Sequence, residues 1–431
     1  MHDSARRNLS LNLFILYQIL LCPIIILILI GFAFIKRVRK GLLRRFSLSK
    51  LKYSGKAVII HSSSLGEAKM AVKLARLIKN IKPDMNIIGS SFTLDGLDVI
   101  RDEGAFTEAF LYPVDIFPLI YLKLRKINPI SIIFIEADLW PSLLYWGRRK
   151  NARIIVLSGR TTEKARRLMG VFRPIVLELY RNVDRIFTAN KVEYEKLRAL
   201  GINPQKMIVS GSIKYMDNLT NGKNIHNNIK NKMKKELYVG DSDKILVAGS
   251  THKGEEDIIL TVYKNIRKRH ENLRLIIAPR YIERSEEIIN IAHKNELKAV
   301  KFSILDKNIR DWDVLVVDKI GILSDIYSIA YIVFVGGTLV KRGGQNIMEP
   351  AKYGVPVLFG PSISNFTYEA YALIKNSGGK IVRNISELES SIYELLEDKT
   401  LYERFSKGSS RSYISMAFDV KLPLNEVNRW T

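Results

Sequence analysis

From residue 57 onward, short β-branched and aliphatic runs alternate with amphipathic stretches, the pattern expected of parallel sheets covered by helices. AVIIH (57–61) reads as a strand, followed by a Ser-rich turn and a helix with Ala71, Leu74, Ala75 and Ile78 on one face. IIGSSF, ISIIFIE, RIIVLS and DRIFTA continue the series. Between Asp217 and Asp243 a polar stretch rich in Asn, Lys and Gly breaks the alternation. The pattern restarts with KILVAGS, LRLIIAP, DVLVVDK, YIVFVGG and VPVLFG, interleaved with helical periodicity at 255–270 and 386–398. The class is α/β, and 431 residues exceed what one core usually holds. The expected division is a membrane segment at 1–46, a first α/β domain at 47–216, a linker at 217–243 and a second α/β domain at 244–431. Two such halves suggest a cleft between them, and the loops after the strands should hold the chemistry.

Before the alternation begins, Leu11 to Ile35 carry no charge, a 25-residue run long enough to cross a hydrocarbon layer. The run is longer than the apolar core of a signal peptide and lacks a small-residue cleavage site, so a retained anchor is expected. Lys36, Arg37, Arg39, Lys40, Arg44 and Arg45 follow directly, and such a cluster is expected on the cytoplasmic side of the membrane, with the body. Arg6 and Arg7 flank the other end, and a helix lying in the inner leaflet is the alternative.

Charge sharpens this picture. There are 68 Lys and Arg against 43 Asp and Glu, a net charge of +25, which calls for an anionic partner or surface. No arginine-rich arm or aromatic-interleaved motif points to nucleic acid, so phosphorylated lipid beside a membrane is the expected partner. The single cysteine, Cys22, lies inside the apolar run, which excludes disulfides and thiolate metal sites.

Unusual residues cluster after the strands. In HSSSLGE (61–67), Glu67 stands at the first turn of a helix, where Ser64 and Glu67 also have the spacing of a capping box. IEADLWPS (135–142) ends an apolar strand with Glu136 and Asp138 just before a Trp-Pro helix start. Asp138 suffices to complement the helix terminus, which leaves Glu136 as the candidate functional group. LSGRTTEKARR (157–167) supplies Arg160, Arg166 and Arg167, either a grip on acidic substrate or a solvated face, and GSIKY (211–215) places Lys214 before the linker.

In the second half, GSTHKGEE (249–256) follows a strand, and IIAPR (276–280) ends one at Arg280, together a candidate phosphate site. FVGGTLVKRGGQNIMEP (334–350) sets four glycines before a helix carrying Asn346 and Glu349. It is not a Walker loop, because the Gly-Lys-Ser/Thr is missing. The acidic triplet DWD (311–313) opens a strand instead of ending one, and the six histidines do not pair at ligand spacings, so no metal is required.

Taken in order, HSSSLGE, IEADLWPS, NARIIVLSGRT, GSIKYMD, GSTHKGEE, APR and GGTLVKRGGQNIMEPAKYGVPVLFGP resemble the motif series of the Kdo (3-deoxy-D-manno-octulosonic acid) transferases of lipopolysaccharide synthesis. The likeness runs from about residue 10 to beyond 366 and includes the N-terminal anchor. It implies a GT-B architecture, two Rossmann-like domains facing a cleft, with acceptor on the N-terminal side and nucleotide on the C-terminal side. It implies inverting, metal-independent transfer of Kdo from CMP-Kdo to a lipid A precursor, lipid IVA, with no cofactor. By that resemblance Glu67 is the proton acceptor, and Glu136 and Lys214 stabilise the transition state. The CMP site would involve Pro279, Arg280, Ile320, Gly321, Ile322, Asn346, Ile347, Met348 and Glu349, with Glu349 on the ribose hydroxyls. Ser64 and Arg160 are candidate acceptor contacts. The chain departs from the family where Gln345 replaces a usual His, and where Gly321, Ile322 and Leu323 replace Gly-Glu-Leu, leaving only backbone contacts at Ile322. Rival readings are another GT-B nucleotide-sugar transferase or epimerase, and a non-enzymatic basic protein binding anionic lipid.

Overall fold

A computed structural model describes residues 14–20, 23, 45–46, 51–136, 138–159, 167, 169–216, 222–306 and 311–419. The chain divides into two compact units, Met1–Met216 with Ala417–Thr431, and Asp217–Met416.

The first unit is built on a seven-stranded sheet in the order β3-β2-β1-β4-β5-β6-β7. The strands are β1 (Gly55–Ser62), β2 (Ile87–Ser91), β3 (Glu108–Leu111), β4 (Ile127–Ile135), β5 (Arg153–Gly159), β6 (Arg185–Thr188) and β7 (Met207–Val209). Every pairing is parallel. Helices cover both faces, which is why β1 reads as a continuous apolar run: Val58 and Ile60 pack into one cluster, Ala57 and Ile59 into another. The helices are α1 (Leu65–Ile81), α2 (Leu94–Asp102), α3 (Phe117–Leu124), α4 (Pro141–Arg149), α5 (Arg173–Arg181) and α6 (Lys191–Ala199). In α1 the apolar spacing buries Ala68, Ala71, Val72, Leu74, Ala75 and Ile78. Pro141 starts α4 at its first position, where its missing N–H costs nothing.

The second unit repeats the plan, with a seven-stranded sheet in the order β10-β11-β9-β8-β12-β13-β14. Its strands are β8 (Lys244–Thr251), β9 (Leu273–Pro279), β10 (Ala299–Lys301), β11 (Val314–Val316), β12 (Ile332–Val335), β13 (Val357–Phe359) and β14 (Gly379–Ile381), again all parallel. Its helices are α7 (Gly222–Glu236), α8 (Glu255–Arg267), α9 (Ser285–Lys294), α10 (Leu323–Ile326), α11 (Met348–Ala351), α12 (Thr367–Lys375), α13 (Ile385–Glu397) and α14 (Lys399–Met416). The polar stretch 217–243 thus contains a helix, α7, whose Met233 is buried, with Leu237 buried just beyond its end. After α14 the chain returns to the first unit, where Ala417 bridges Ser212 and the Asp419 N–H donates to the Ser210 carbonyl.

Two parallel-sheet α/β units agree with a GT-B architecture. The apolar run 11–35 falls largely outside the described residues, among which no helix is long and apolar enough to cross a membrane. Residues 14–20 are helical and dock on the first unit. Phe14 stacks on Tyr145 at 4.1 Å, the Tyr17 hydroxyl donates to Asp115 Oδ2 at 2.9 Å, and Gln18 reaches the Asp115 carbonyl and Ser142 Oγ.

Candidate active site

In each sheet the chain crosses to the other side of its first strand, between β1 and β4 in the first unit and between β8 and β12 in the second. Side chains beyond the carboxyl ends of these strands meet no neighbouring crossover, which is why doubly wound sheets bind ligands there. The loops after β1, β4, β8 and β12 carry HSSSLGE, IEADLWPS, GSTHKGEE and the glycine-rich run.

Glu67 lies at the third position of α1, with Ser64 as the N-cap. The Ser64 hydroxyl accepts from the Glu67 N–H at 3.3 Å and donates to Glu67 Oε1 at 2.9 Å. The Ser63 N–H donates to Oε2 at 2.6 Å. The capping interaction expected from the spacing is therefore present, and it leaves lone pairs on both carboxylate oxygens. Glu67 is only 7% exposed. Burial pushes its pKa up to about 7, against the Ser63 and Ser64 hydrogen bonds and with added repulsion from Glu136 and Asp138.

Glu136 ends β4 in the left-handed region at φ +61°, a conformation that costs a non-glycine residue energy and here turns the chain off the sheet. Its N–H donates to the Leu157 carbonyl, and its Oε1 lies 3.5 Å from Lys214 Nζ. Lys214 arrives on a helical turn after β7, whose Ile213 N–H is held by Ser158 Oγ at 3.0 Å. Ser158 is also left-handed, at the β5 register shift. The fold thus gathers Glu67, Glu136 and Lys214 at one sheet edge from motifs as far apart as residues 61 and 215. Arg160 and Arg166 lie outside the described residues.

The second unit offers cations and backbone amides. Arg280 follows β9 and is exposed, its N–H donating to the Thr251 carbonyl. His252 faces Arg280, Arg284 and Arg342; burial and these guanidinium groups hold its imidazole below the ordinary range, against Glu255. After β12, Gly336 passes so close to Thr251 that a Cβ would stand 2.5 Å from its Cα, and Gly337 is left-handed at φ +69°. Fully buried Glu255 holds this loop: its Oε2 accepts from the N–H groups of His252 and Gly337 at 2.9 and 2.7 Å. Its Oε1 accepts from those of Thr338 and Leu339, both at 3.0 Å.

Asn346 Nδ2 donates to Glu349 Oε1 at 3.0 Å, and Asn346 Oδ1 accepts from the Met348 N–H, so these two side chains are oriented together. Ile347 and Met348 are fully buried in the core. Pro279 is buried at the end of β9. Ile320, 79% exposed, and Gly321, left-handed at φ +93°, form an open turn before Ile322. Gln345 Nε2 is 3.4 Å from His252 Nε2.

Among the described residues no group of three His, Cys, Asp or Glu side chains converges as a metal site would need. The acidic triplet lies at the opposite sheet edge, with Asp311 paired to Lys298 at 2.7 Å and Asp313 to Arg267 at 2.5 Å. Sequence reasoning missed Glu255, His252 and Arg342. Glu255 reads there as one of three acids in a helix's first turn, Glu255, Glu256 and Asp257, and nothing marks its partners more than eighty residues on.

Residues 40–217 match the family model described as 3-deoxy-D-manno-octulosonic-acid transferase. The chain is 31% identical over 352 residues to a bifunctional glycosyltransferase/methyltransferase of Fusobacterium nucleatum, covering 80% of this chain and 54% of that protein. It therefore spans about half the length of that relative. It is 26% identical over 428 residues to a 3-deoxy-D-manno-octulosonic acid transferase of Haemophilus influenzae, covering 95% of this chain and 98% of the relative. In fold it is similar to a UDP-GlcNAc 2-epimerase from Neisseria meningitidis, with a TM-score of 0.63 at 13% identity over 87% of this chain and all of that one.

Proposed function

We propose that the chain, whose residues 40–217 match the 3-deoxy-D-manno-octulosonic-acid (Kdo) transferase model, transfers Kdo from CMP-Kdo to a lipid A precursor, lipid IVA. The transfer is inverting and metal-independent, releases CMP, and takes place at the cytoplasmic face of a bacterial inner membrane. One observation carries the reading: a buried carboxylate, Glu67, whose surroundings bring its proton affinity close to neutral pH at the switch-point edge of the first sheet.

In this reading an acceptor hydroxyl gives its proton to Glu67 as its oxygen bonds to the anomeric carbon of Kdo. The bond from that carbon to the CMP phosphate oxygen breaks, and the electron pair leaves with CMP. Lys214, held by Glu136, offsets negative charge developing near the acceptor edge. Arg280 and Arg342, beside the loop that Glu255 holds, supply donors for the phosphate, and the Glu349 carboxylate, oriented by Asn346, accepts from the ribose hydroxyls. The net charge of +25 attracts an anionic membrane, the Kdo carboxylate and the acceptor phosphates alike.

The test incubates membranes containing the full chain with CMP-Kdo and a tetraacyl lipid A precursor, then weighs the lipid products. A mass gain of Kdo that persists in EDTA is expected. No gain in lipid mass, or thermal protection by UDP and not by CMP, would sink the reading and favour an epimerase-like or other nucleotide-sugar activity.

A further inference from the structure

Trp140 follows the loop of Glu136 and precedes α4, yet its indole reaches the other catalytic loop: Nε1–H donates to Ser63 Oγ at 3.2 Å. Ser63 is the residue whose backbone N–H holds Glu67 Oε2. The indole is itself set by a wall of rings. Phe92 stacks on it at 4.8 Å and 24°, Tyr112 lies at 5.0 Å, and His61 at 6.0 Å. Phe92 is tied to the same loop by its N–H on the Ser62 carbonyl. On Phe92 sits Arg45, the last basic residue of the N-terminal cluster, with its guanidinium carbon 3.9 Å from the ring centroid. Its two terminal nitrogens donate to the carbonyls of Phe92 and Tyr112.

We propose that Arg45, Phe92 and Trp140 form a positioning relay that fixes Ser63 against Glu67, so that Arg45, the last residue of the basic cluster, is part of the base's setting. The inference rests on Glu67 being the base. A guanidinium that donates to two carbonyls while stacked on a ring is geometrically specific, which an unselective membrane contact does not need. His61 is 1% exposed, its Nδ1 is 2.6 Å from Ser90 Oγ and its Nε2 has no hydrogen-bond partner among the described residues; burial favours the neutral ring, which adds no charge beside the base. Among the described residues, the charged groups acting on Glu67 are Glu136 and Asp138 from the β4–α4 loop, with Lys214 on Glu136.

The experiment uses the full chain in detergent with CMP-Kdo and lipid acceptor in mixed micelles. Trp140→Phe removes the indole N–H and keeps the stack, Ser63→Ala removes its acceptor, and Arg45→Lys keeps the charge but not the two-carbonyl grip. Each is expected to lower kcat roughly tenfold, the scale of one displaced hydrogen bond, with acceptor KM nearly unchanged. Each also moves the acid limb of the pH–rate profile upward, because a carboxylate that loses an N–H donor is easier to protonate. The Trp140→Phe/Ser63→Ala double variant is expected to be no worse than either single one. A wild-type acid limb in Trp140→Phe overturns the relay, whether kcat is normal or falls together with Tm. A raised acceptor KM with an unmoved limb in Arg45→Lys overturns Arg45's part and returns it to lipid contact. Glu67→Gln, run alongside, separates the two ideas: turnover in that variant sinks the base itself, whereas its inactivity with an unmoved limb in the others sinks only the relay.

Discussion

Each unit sets a glutamate just past the first strand of its sheet, Glu67 after β1 and Glu255 after β8, and the two are used in opposite ways. Glu255 accepts four backbone N–H groups and is fully buried. A carboxylate has about four lone-pair directions, so Glu255 is filled and can only hold a loop in shape. Glu67 accepts one N–H and one hydroxyl, keeps free lone pairs and is repelled by two further carboxylates. The same residue type at the same topological position is a saturated clamp in one unit and, in the function we propose, a proton acceptor in the other, according to how many donors surround it.

The sharpest way to break this comparison is Glu67→Gln, expected to lower turnover by about 10² to 10⁴ while CMP still protects against thermal unfolding. Retained turnover would return Glu67 to helix capping. Glu255→Ala should do the reverse kind of damage. With four amides deprived of their acceptor, Tm falls by several degrees and CMP protection is lost. Unchanged CMP binding would detach the glycine loop from the nucleotide. Arg280→Ala should raise the KM for CMP-Kdo by roughly tenfold, the scale of one charge-assisted contact, and leave the acid limb of the pH profile where it was.

The pH dependence sharpens the contrast further. With Glu67 near pKa 7, activity should climb through about pH 7 and then level. Because this folded value lies above the ordinary 4.5, the protonated form favours the fold: that stability is complete below about 4.5 and lost as pH rises through about 7. The Tm advantage of Glu67→Gln over wild type should therefore widen from pH 5 to pH 8, and a constant gap would contradict the burial argument. The smallest effect is expected from Asp311→Asn. It breaks an exposed pair at the far sheet edge and should change stability by less than about 0.5 kcal/mol and turnover not at all.

Much of this was legible in the chain. The long central strands β1, β4, β8 and β9 are buried on both faces, so their sequences are unbroken apolar runs that stand out from the helical periodicity. The four outermost strands, β3, β7, β10 and β14, went unread because they are short and only partly buried, so no continuous apolar run marks them. Glu136 and Arg280 stood out by polarity at strand ends, whereas Glu67, which also reads as a helix cap, and Lys214, a lone basic residue, were singled out by the family resemblance. The Arg45–Phe92–Trp140–Ser63 path did not stand out, since its members are dispersed over residues 45 to 140 and each alone reads as an ordinary basic or core residue.

The sequence by itself determined two parallel α/β units, the loops that carry chemistry and the residue types at their tips, because strand periodicity and turn chemistry are local properties of the chain. Only the tertiary structure decided which carboxylate would be saturated with donors and which left open. Burial, repulsion and hydrogen bonding act over a few ångströms in space between groups that can be eighty residues apart, and no window along the chain contains both partners.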